Sequence, residues 1–176
     1  MIKVIAFDFV GVLVREKDIE MDEVESKIER LFGPNVSDLE YLKKAKLLSS
    51  GDTISITKNL INKLYEVKDK NLLNKINKDF PSIKIIIATN HVSFIRDFIE
   101  KEFIVDDIII SAEINMIKPN SNFYNYLLGK YKIEASELLF LDDNIENIDG
   151  ADKLGINTIK VDKNINIYEE ILHKIK

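Results

Sequence analysis

The chain has 176 residues, of which 45% are hydrophobic and 31% charged, so it has enough apolar residues for one core plus a small appended module, which excludes a large multidomain protein and wholesale disorder. Its net charge of −5 makes it a poor binder of phosphate backbones, and we expect no nucleic-acid partner. The absence of cysteine excludes disulfides and thiolate metal sites, leaving oxygen and nitrogen ligands for any metal.

The first predicted element is a buried strand at the N-terminus. Ile2–Phe9 is a nearly continuous apolar run, which indicates a strand covered on both faces. Asp8 interrupts the run and no small-residue cleavage site follows, so we predict no signal peptide. No segment approaches the roughly 20 unbroken apolar residues that span a bilayer. We therefore expect a cytoplasmic protein with no membrane partner, either a monomer or a weak homodimer.

A long helical segment follows this strand. Helix-period patterns predict helices over Met21–Phe32, Ser37–Leu48, Ile54–Glu66 and Asp69–Phe80, with breaks at Gly33-Pro34 and Ser50-Gly51-Asp52 and no comparable strand between Glu16 and Ser82. The segment is too long for a crossover between strands. We predict a helical module, residues 16–82, inserted into an α/β domain of residues 1–15 and 83–176, seated over the carboxyl ends of the strands and packed around its own core.

The remaining chain alternates buried strands with amphipathic helices. Strands are predicted at Ile83–Thr89, Ile108–Ser111, Leu138–Leu141 and, from a weaker pattern, Thr158–Val161. Helices are predicted at about Val92–Glu102, Ser121–Tyr131, Ile145–Leu154 and Ile167–Ile175. This βαβ alternation is typical of a parallel sheet flanked by helices.

Polar residues occur where the predicted strands end. They are Asp8 after the first strand, Thr89-Asn90 at the second, Lys118 in the loop after the third and Asp142-Asp143 after the fourth. Taken singly, each has an ordinary structural explanation, such as capping a helix or a turn. Because ligands bind at the carboxyl ends of parallel strands, their joint placement favours one site. Carboxylates, a hydroxyl and an ammonium group meet the needs of phosphoryl transfer through an aspartyl intermediate.

Four motifs then carry a family resemblance. They are VIAFDFVGVLV (4–14), IIIATN (85–90), SAEINMIKPNSNFY (111–124) and LLFLDDNIENIDGADKLGINTIKV (138–161). In this order they resemble the haloacid dehalogenase superfamily, subfamily IA, and within it the group of bacterial sugar-phosphate phosphatases and the N-terminal phosphatase domain of soluble epoxide hydrolase. The resemblance implies a Rossmann-like parallel sheet and identifies residues 16–82 as a helical cap of the first type.

The resemblance also implies catalytic and substrate-binding roles. Asp8 would be the nucleophile, and Lys118 would pair with both the nucleophile and the phosphate. Thr89 and the backbone of Asn90 would bind the phosphoryl group. The expected substrate is a small phosphorylated metabolite whose identity the cap sequence does not reveal.

A Mg²⁺ site follows from the same resemblance. Asp8 and the backbone carbonyl of Val10 would be ligands. Asp143 is favoured as a direct ligand, and Asp142 would bind directly or through water. Asn147, one turn further along, is expected to brace this loop rather than to touch substrate.

Val10 departs from the family pattern. Most phosphatases of the superfamily have a second aspartate there, which protonates the leaving oxygen and then activates water. Losing general acid–base help typically lowers a rate by about 10²–10⁴, which slows but does not abolish catalysis. A Mg²⁺-dependent phosphatase with a good leaving group or a borrowed proton is favoured. The alternatives are a protein that binds a phosphorylated ligand with little turnover and, less favoured, a 2-haloacid dehalogenase-like hydrolase, since such relatives need no cation and lack the acidic pair.

Three further residues lie outside these assigned roles. His91 could face the cleft as a substitute proton donor, or begin the next helix and point to solvent, which we favour. Arg15, at the junction with the cap, is expected to be solvated rather than to bind a substrate anion. His173 has no motif around it and is expected at the surface.

Overall fold

A computed structural model of the chain describes residues 1–33, 37–49 and 51–175. Its strands are β1 (Val4–Phe7), β2 (Val14–Glu16), β3 (Tyr65–Val67), β4 (Lys84–Thr89), β5 (Asp107–Ile110), β6 (Leu138–Asp142) and β7 (Asn157–Lys160). Its α-helices are α1 (Glu23–Glu29), α2 (Asp38–Ala45), α3 (Thr53–Leu64), α4 (Leu72–Asp79), α5 (Arg96–Glu102), α6 (Ser111–Ile114), α7 (Ser121–Tyr131), α8 (Ile145–Asp152) and α9 (Ile167–Ile175). Single 3₁₀ turns lie at Ser93–Ile95 and Ala135–Glu137.

Five strands form a parallel sheet in the order β5-β4-β1-β6-β7, which confirms the predicted α/β fold with a Rossmann-like sheet. Every residue of the central strand β1 is buried. Alternate residues of the sheet point to opposite faces, so Ile5 and Phe7 join one apolar cluster while Val4 and Ala6 join a second. Helices therefore cover both faces, as continuous apolar strands require.

The inserted segment is not wholly helical. The predicted helix Ile54–Glu66 ends at Leu64, and β3 pairs antiparallel with β2 in the register Val14↔Val67 and Glu16↔Tyr65. The prediction of helices alone was wrong here because this pairing joins residues far apart in sequence, which a local pattern does not reveal. The helix predicted over Met21–Phe32 begins only at Glu23, since Asp22 and Glu25 form a capping box.

The module contacts the carboxyl end of β4. The turn Ser93–Ile95 follows that strand, and Asp38 of α2 accepts a hydrogen bond from the Ser93 amide at 2.9 Å. Lys58 of α3 forms an ion pair with Asp97 of α5 at 2.7 Å. The predicted breaks at Pro34 and Ser50 lie outside the described residues.

The module shares its core with the sheet rather than having one of its own. Ile28 of α1 and Leu60 of α3 belong to the same buried cluster as Phe7 and Phe9 at the end of β1. The expectation of a separate module core was therefore wrong. The two parts bury one apolar surface together, which stabilises the module's position over the sheet.

Helix α4 packs with the sheet domain. Its Lys75 ammonium lies 3.5 Å from the centre of the Tyr168 ring of α9, and the Tyr168 hydroxyl donates to Asp79 at the end of α4. We therefore propose that the inserted module runs from residue 17 to residue 64, between β2 and β3, rather than from 16 to 82. No helix among the described residues is long and apolar enough to cross a membrane.

Candidate active site

The pairing of β1 with β6 brings three carboxylates together. Asp8 directly follows β1 and its amide donates to the Leu141 carbonyl of β6 at 2.8 Å. Asp142 ends β6 and Asp143 follows it. One carboxylate oxygen from each of the three aspartates lies within 4.8 Å of the others. The structure thus brings Asp8 next to the adjacent pair Asp142-Asp143, which lies more than 130 residues further along the chain.

Lys118 joins this group from the loop before α7. Its ammonium lies 2.8 Å from Asp8 Oδ1 and 2.7 Å from Asp142 Oδ2, and the residue is 2% exposed. The Asn90 side chain holds the Lys118 backbone, because its Nδ2 donates to the Lys118 carbonyl at 2.8 Å and its Oδ1 accepts from the Lys118 amide at 2.9 Å. Sequence analysis did not predict this positioning contact of the Asn90 side chain.

Asp142 is held rigidly from several directions. It is fully buried, and its Oδ1 accepts from the Asn144 amide at 2.8 Å. Asn147 Nδ2 donates to both oxygens, at 3.1 and 3.0 Å, while Lys118 occupies Oδ2. Asn147 thus braces the loop as expected. Both Asp142 oxygens accept hydrogen bonds, so whether or not it also contributes to a cation site, Asp142 positions Lys118.

Asp143 is the one solvent-exposed carboxylate of the three. Its carboxylate lies against Gly11, whose φ is +84°. A Cβ at Gly11 would lie 2.0 Å from Asp143 Oδ2, so a side chain there would displace the carboxylate. Glycine is therefore required both for the backbone conformation and for the close approach. Clustered carboxylate oxygens are the hard donors that Mg²⁺ prefers, so the residues fit that cation.

Burial shapes the charges of the site. Burial raises the pKa of Asp8 to about 6, an effect that Lys118 opposes and Asp142 reinforces. Burial would lower the pKa of Lys118, but the charges of Asp8 and Asp142 raise it above its usual range, so the ammonium stays protonated. Partial burial and the charge of Asp142 raise the pKa of Asp143. A cation among these carboxylates would favour their ionised forms.

Thr89 and Val10 border the carboxylate group. Thr89 ends β4, the other neighbour of β1 in the sheet, and is 2% exposed. Val10 is half-buried and packs against the apolar cluster, while its backbone forms a bridge with Val14. The Val10 side chain has no group that transfers a proton.

His91 occupies neither predicted place. It is 2% exposed, its Nε2 lies 3.0 Å from the Tyr65 hydroxyl and its Nδ1 lies 3.2 Å from the Val92 carbonyl. Since a carbonyl only accepts, Nδ1 carries the proton and Nε2 accepts from Tyr65. Burial lowers the pKa of His91 to about 4. Both predictions for His91 were therefore wrong, because Tyr65 of β3 and the Phe32 ring of the inserted module pack against the His91 ring and bury it.

The predicted exposure of Arg15 and of His173 is confirmed. Arg15 is exposed and pairs with Glu66 across the β2–β3 strands, with 2.8 Å between Arg15 Nη2 and Glu66 Oε2. His173 is exposed in the last turn of α9.

The chain belongs to the haloacid dehalogenase-like hydrolase family, whose model matches residues 5–161. A solved structure of a predicted HAD-like family hydrolase from Porphyromonas gingivalis is similar over 100% of this chain and 98% of its own, with a TM-score of 0.78 and 19% identity. A HAD family enzyme from Bacteroides thetaiotaomicron, solved in complex with magnesium and inorganic phosphate, covers 97% of this chain and 99% of its own, with a TM-score of 0.73 and 14% identity.

A curated relative matches a shorter stretch. Bifunctional epoxide hydrolase 2 from Mus musculus is 36% identical over 66 residues, which is 38% of this chain and 12% of that protein. The alignment thus spans about an eighth of the relative's length.

Proposed function

We propose that the protein is a Mg²⁺-dependent phosphatase that hydrolyses a small phosphorylated metabolite through an aspartyl-phosphate intermediate. The observation that carries this proposal is the Lys118 ammonium held between Asp8 and Asp142, with the open carboxylate of Asp143 beside them. The relative solved with magnesium and inorganic phosphate supports both the cation and the substrate class.

Asp8 is the proposed nucleophile. One of its carboxylate oxygens forms a bond to phosphorus while the bond between phosphorus and the alcohol oxygen breaks. Water then attacks phosphorus and releases phosphate, which returns Asp8 to a carboxylate. Lys118 offsets negative charge on the transferred group, and Thr89 with the Asn90 amide binds the equatorial oxygens.

Asp8, Asp143 and the Val10 carbonyl would hold the cation, with Asp142 acting directly or through water. Mg²⁺ would supply charge stabilisation between two anions. The departing alcohol oxygen takes its proton from water, because Val10 has none to give.

The test is hydrolysis of a panel of phosphomonoesters with Mg²⁺ and with EDTA. We expect turnover that EDTA abolishes and that Asp8→Asn lowers at least about 10³-fold. Asp18→Asn, an exposed aspartate outside the carboxylate group, is the matched control and should leave turnover unchanged. Cation-independent turnover, or full activity of Asp8→Asn, would contradict the proposal.

A binding protein with little turnover is the second candidate, favoured only by Val10. It predicts that Mg²⁺ and a phosphorylated ligand together raise the melting temperature without forming product. Cation-independent release of halide from a 2-haloacid would instead point to the dehalogenase, which the three clustered carboxylates disfavour.

A further inference from the structure

A cavity of about 690 Å³ adjoins the open carboxylate of the candidate site. Asp143 and Gly11 line it at one end. Residues 160–163, which are the last residue of β7 and the loop after it, line another wall. Lys160 is the sheet neighbour of Asp142, which ties that wall to the carboxylate group. The cavity therefore begins at Asp143, the proposed cation ligand beside the carboxylate group.

The cavity combines an apolar lining with several cations. Apolar side chains from three separate segments of the chain contribute to the lining, among them Val12, Leu72 and Val161, each of which is buried. Four cationic residues also line the cavity: Arg15, Lys68, Lys160 and Lys163. Small-molecule sites typically have this composition, with an apolar surface for the carbon skeleton and a few charged groups that fix its orientation.

Three of these cations have no ion-pair partner within the described part of the chain. Arg15 is paired with Glu66, but no carboxylate of residues 1–33, 37–49 or 51–175 lies within 4.0 Å of the ammonium groups of Lys68, Lys160 or Lys163. A chain with five more acidic than basic residues has many carboxylates that could pair with them. Their grouping around one cavity therefore favours an anion from outside the chain.

Two of the three ammonium groups are held by the cavity wall itself. Lys68 Nζ donates to the Gly11 carbonyl at 2.6 Å, and Lys160 Nζ donates to the Val161 carbonyl at 3.1 Å. An ammonium group has three donors, so each keeps donors for a ligand. Holding these side chains in place also lowers the entropy that binding would cost.

The other carboxylates of the cavity are engaged in local turns. Asp69 accepts from the Asn71 amide at 2.8 Å, and Asp162 accepts from the Asn164 amide at 2.7 Å. Asp143 is the third carboxylate of the cavity, and the charge of Lys160 partly opposes the rise in the Asp143 pKa, so Lys160 faces the proposed cation site. Its ammonium group still keeps donors for an external anion.

We propose that this cavity binds the part of the substrate beyond the scissile phosphoryl group, and that Lys68, Lys160 and Lys163 recognise a second anionic group on it. The substrate class is then a phosphate monoester with a short carbon skeleton that carries a carboxylate or a second phosphate. This inference rests on the proposed function and specifies its substrate.

The first experiment measures binding without turnover. With Mg²⁺ present, calorimetry compares propylphosphonate with 3-phosphonopropionate and with propane-1,3-bisphosphonate, which have the same chain length and lack a hydrolysable ester. We expect one of the two doubly anionic ligands to bind between about tenfold and a hundredfold more tightly than propylphosphonate, the gain typical of charge-assisted hydrogen bonds. The tighter of the two identifies the second anion as carboxylate or phosphonate.

The variants Lys160→Gln and Lys163→Gln should remove most of this preference, whereas Lys43→Gln, an exposed lysine on α2 away from the cavity, should keep it. Equal affinity for all three ligands, or a preference that survives both cavity variants, would overturn the inference. Melting temperatures of the variants confirm that they remain folded.

A second measurement separates this inference from the proposed function. The ratio of kcat/KM for a doubly anionic phosphomonoester to that for its singly anionic analogue should fall in Lys160→Gln and Lys163→Gln. Mg²⁺-dependent hydrolysis with no such selectivity would overturn the cavity assignment alone. Selective phosphonate binding without hydrolysis of any ester would support the cavity and contradict the phosphatase.

Discussion

At the scale of single residues, Val10 is the position where the candidate site lacks a side chain that can transfer a proton. Its side chain is half-buried beside the carboxylate group on which the proposed phosphatase activity depends. Leaving groups differ in how much they need a proton, since a stable anion departs without one. The rate of the native protein should therefore depend strongly on the pKa of the departing alcohol.

Val10→Asp tests this dependence. We expect the substitution to raise kcat for alkyl phosphates by about tenfold or more, and to change kcat for 4-nitrophenyl phosphate by less, because the new carboxyl group supplies the missing proton. The measurement is kcat across esters of graded leaving-group pKa. Val10→Asn, which has the same shape but transfers no proton, is the control. An equal gain for all esters would show that Val10 does not limit proton transfer.

Helix α8 connects the packing of elements to the geometry of the site. It carries Asn147, which holds Asp142, and its Gly150 faces the loop that carries Lys118. A Cβ at Gly150 would lie 2.7 Å from the Pro119 carbonyl, closer than side-chain carbons approach a backbone oxygen. The spacing of Asp142 and Lys118 thus depends on how closely this helix approaches the loop.

Gly150→Ala should push α8 and this loop apart. We expect a loss of about 1–3 kcal/mol in the free energy of unfolding, the usual cost of overpacking, together with lower turnover. Gly129→Ala is the matched control, because Gly129 is exposed in α7 and its added Cβ would meet nothing within 4 Å. That control should be neutral or gain up to about 1 kcal/mol. Chemical denaturation measures both, and equal stabilities would contradict the packing argument.

The contact between the inserted module and the sheet domain sets a property of the whole molecule, its stability in acid. Burial lowers the pKa of His91 to about 4 from an ordinary value of about 6.5. The folded protein therefore binds fewer protons at His91 than the unfolded chain does between these pH values. Stability from this residue is present above about pH 6.5 and is lost as the pH falls towards 4.

Asp8 changes the free energy of unfolding with pH in the opposite direction to His91. Its pKa is raised to about 6 in the folded protein from an ordinary value of about 4, so its contribution is lost as the pH rises through that window. A comparison of variants at each pH is therefore needed to isolate His91.

His91→Gln removes the titrating group while keeping a polar side chain. We expect its melting temperature to fall less than that of the native protein between pH 7 and pH 4.5, and His173→Gln, at an exposed site, to follow the native curve. Parallel curves for His91→Gln and the native protein would show that His91 does not couple acid to unfolding.

Much of the architecture was predictable from sequence because its signals are local. The buried strands show as apolar runs, and the polar residues that end them, such as Asp8 and Asp142, stand out against those runs. The rule that parallel strands present ligands at their carboxyl ends was then enough to place these residues at one edge. Helix α7 was predicted with its observed bounds, Ser121–Tyr131, for the same reason.

The features decided only by the tertiary structure depend on contacts between distant segments. The pairing of β2 with β3, the shared core of module and sheet and the burial of His91 all join residues far apart in the chain. The hold of the Asn90 side chain on Lys118 and the grouping of lysines around the cavity have the same origin. Local periodicity and propensity describe which surface an element buries, whereas the partner that covers this surface is set by packing across the whole fold.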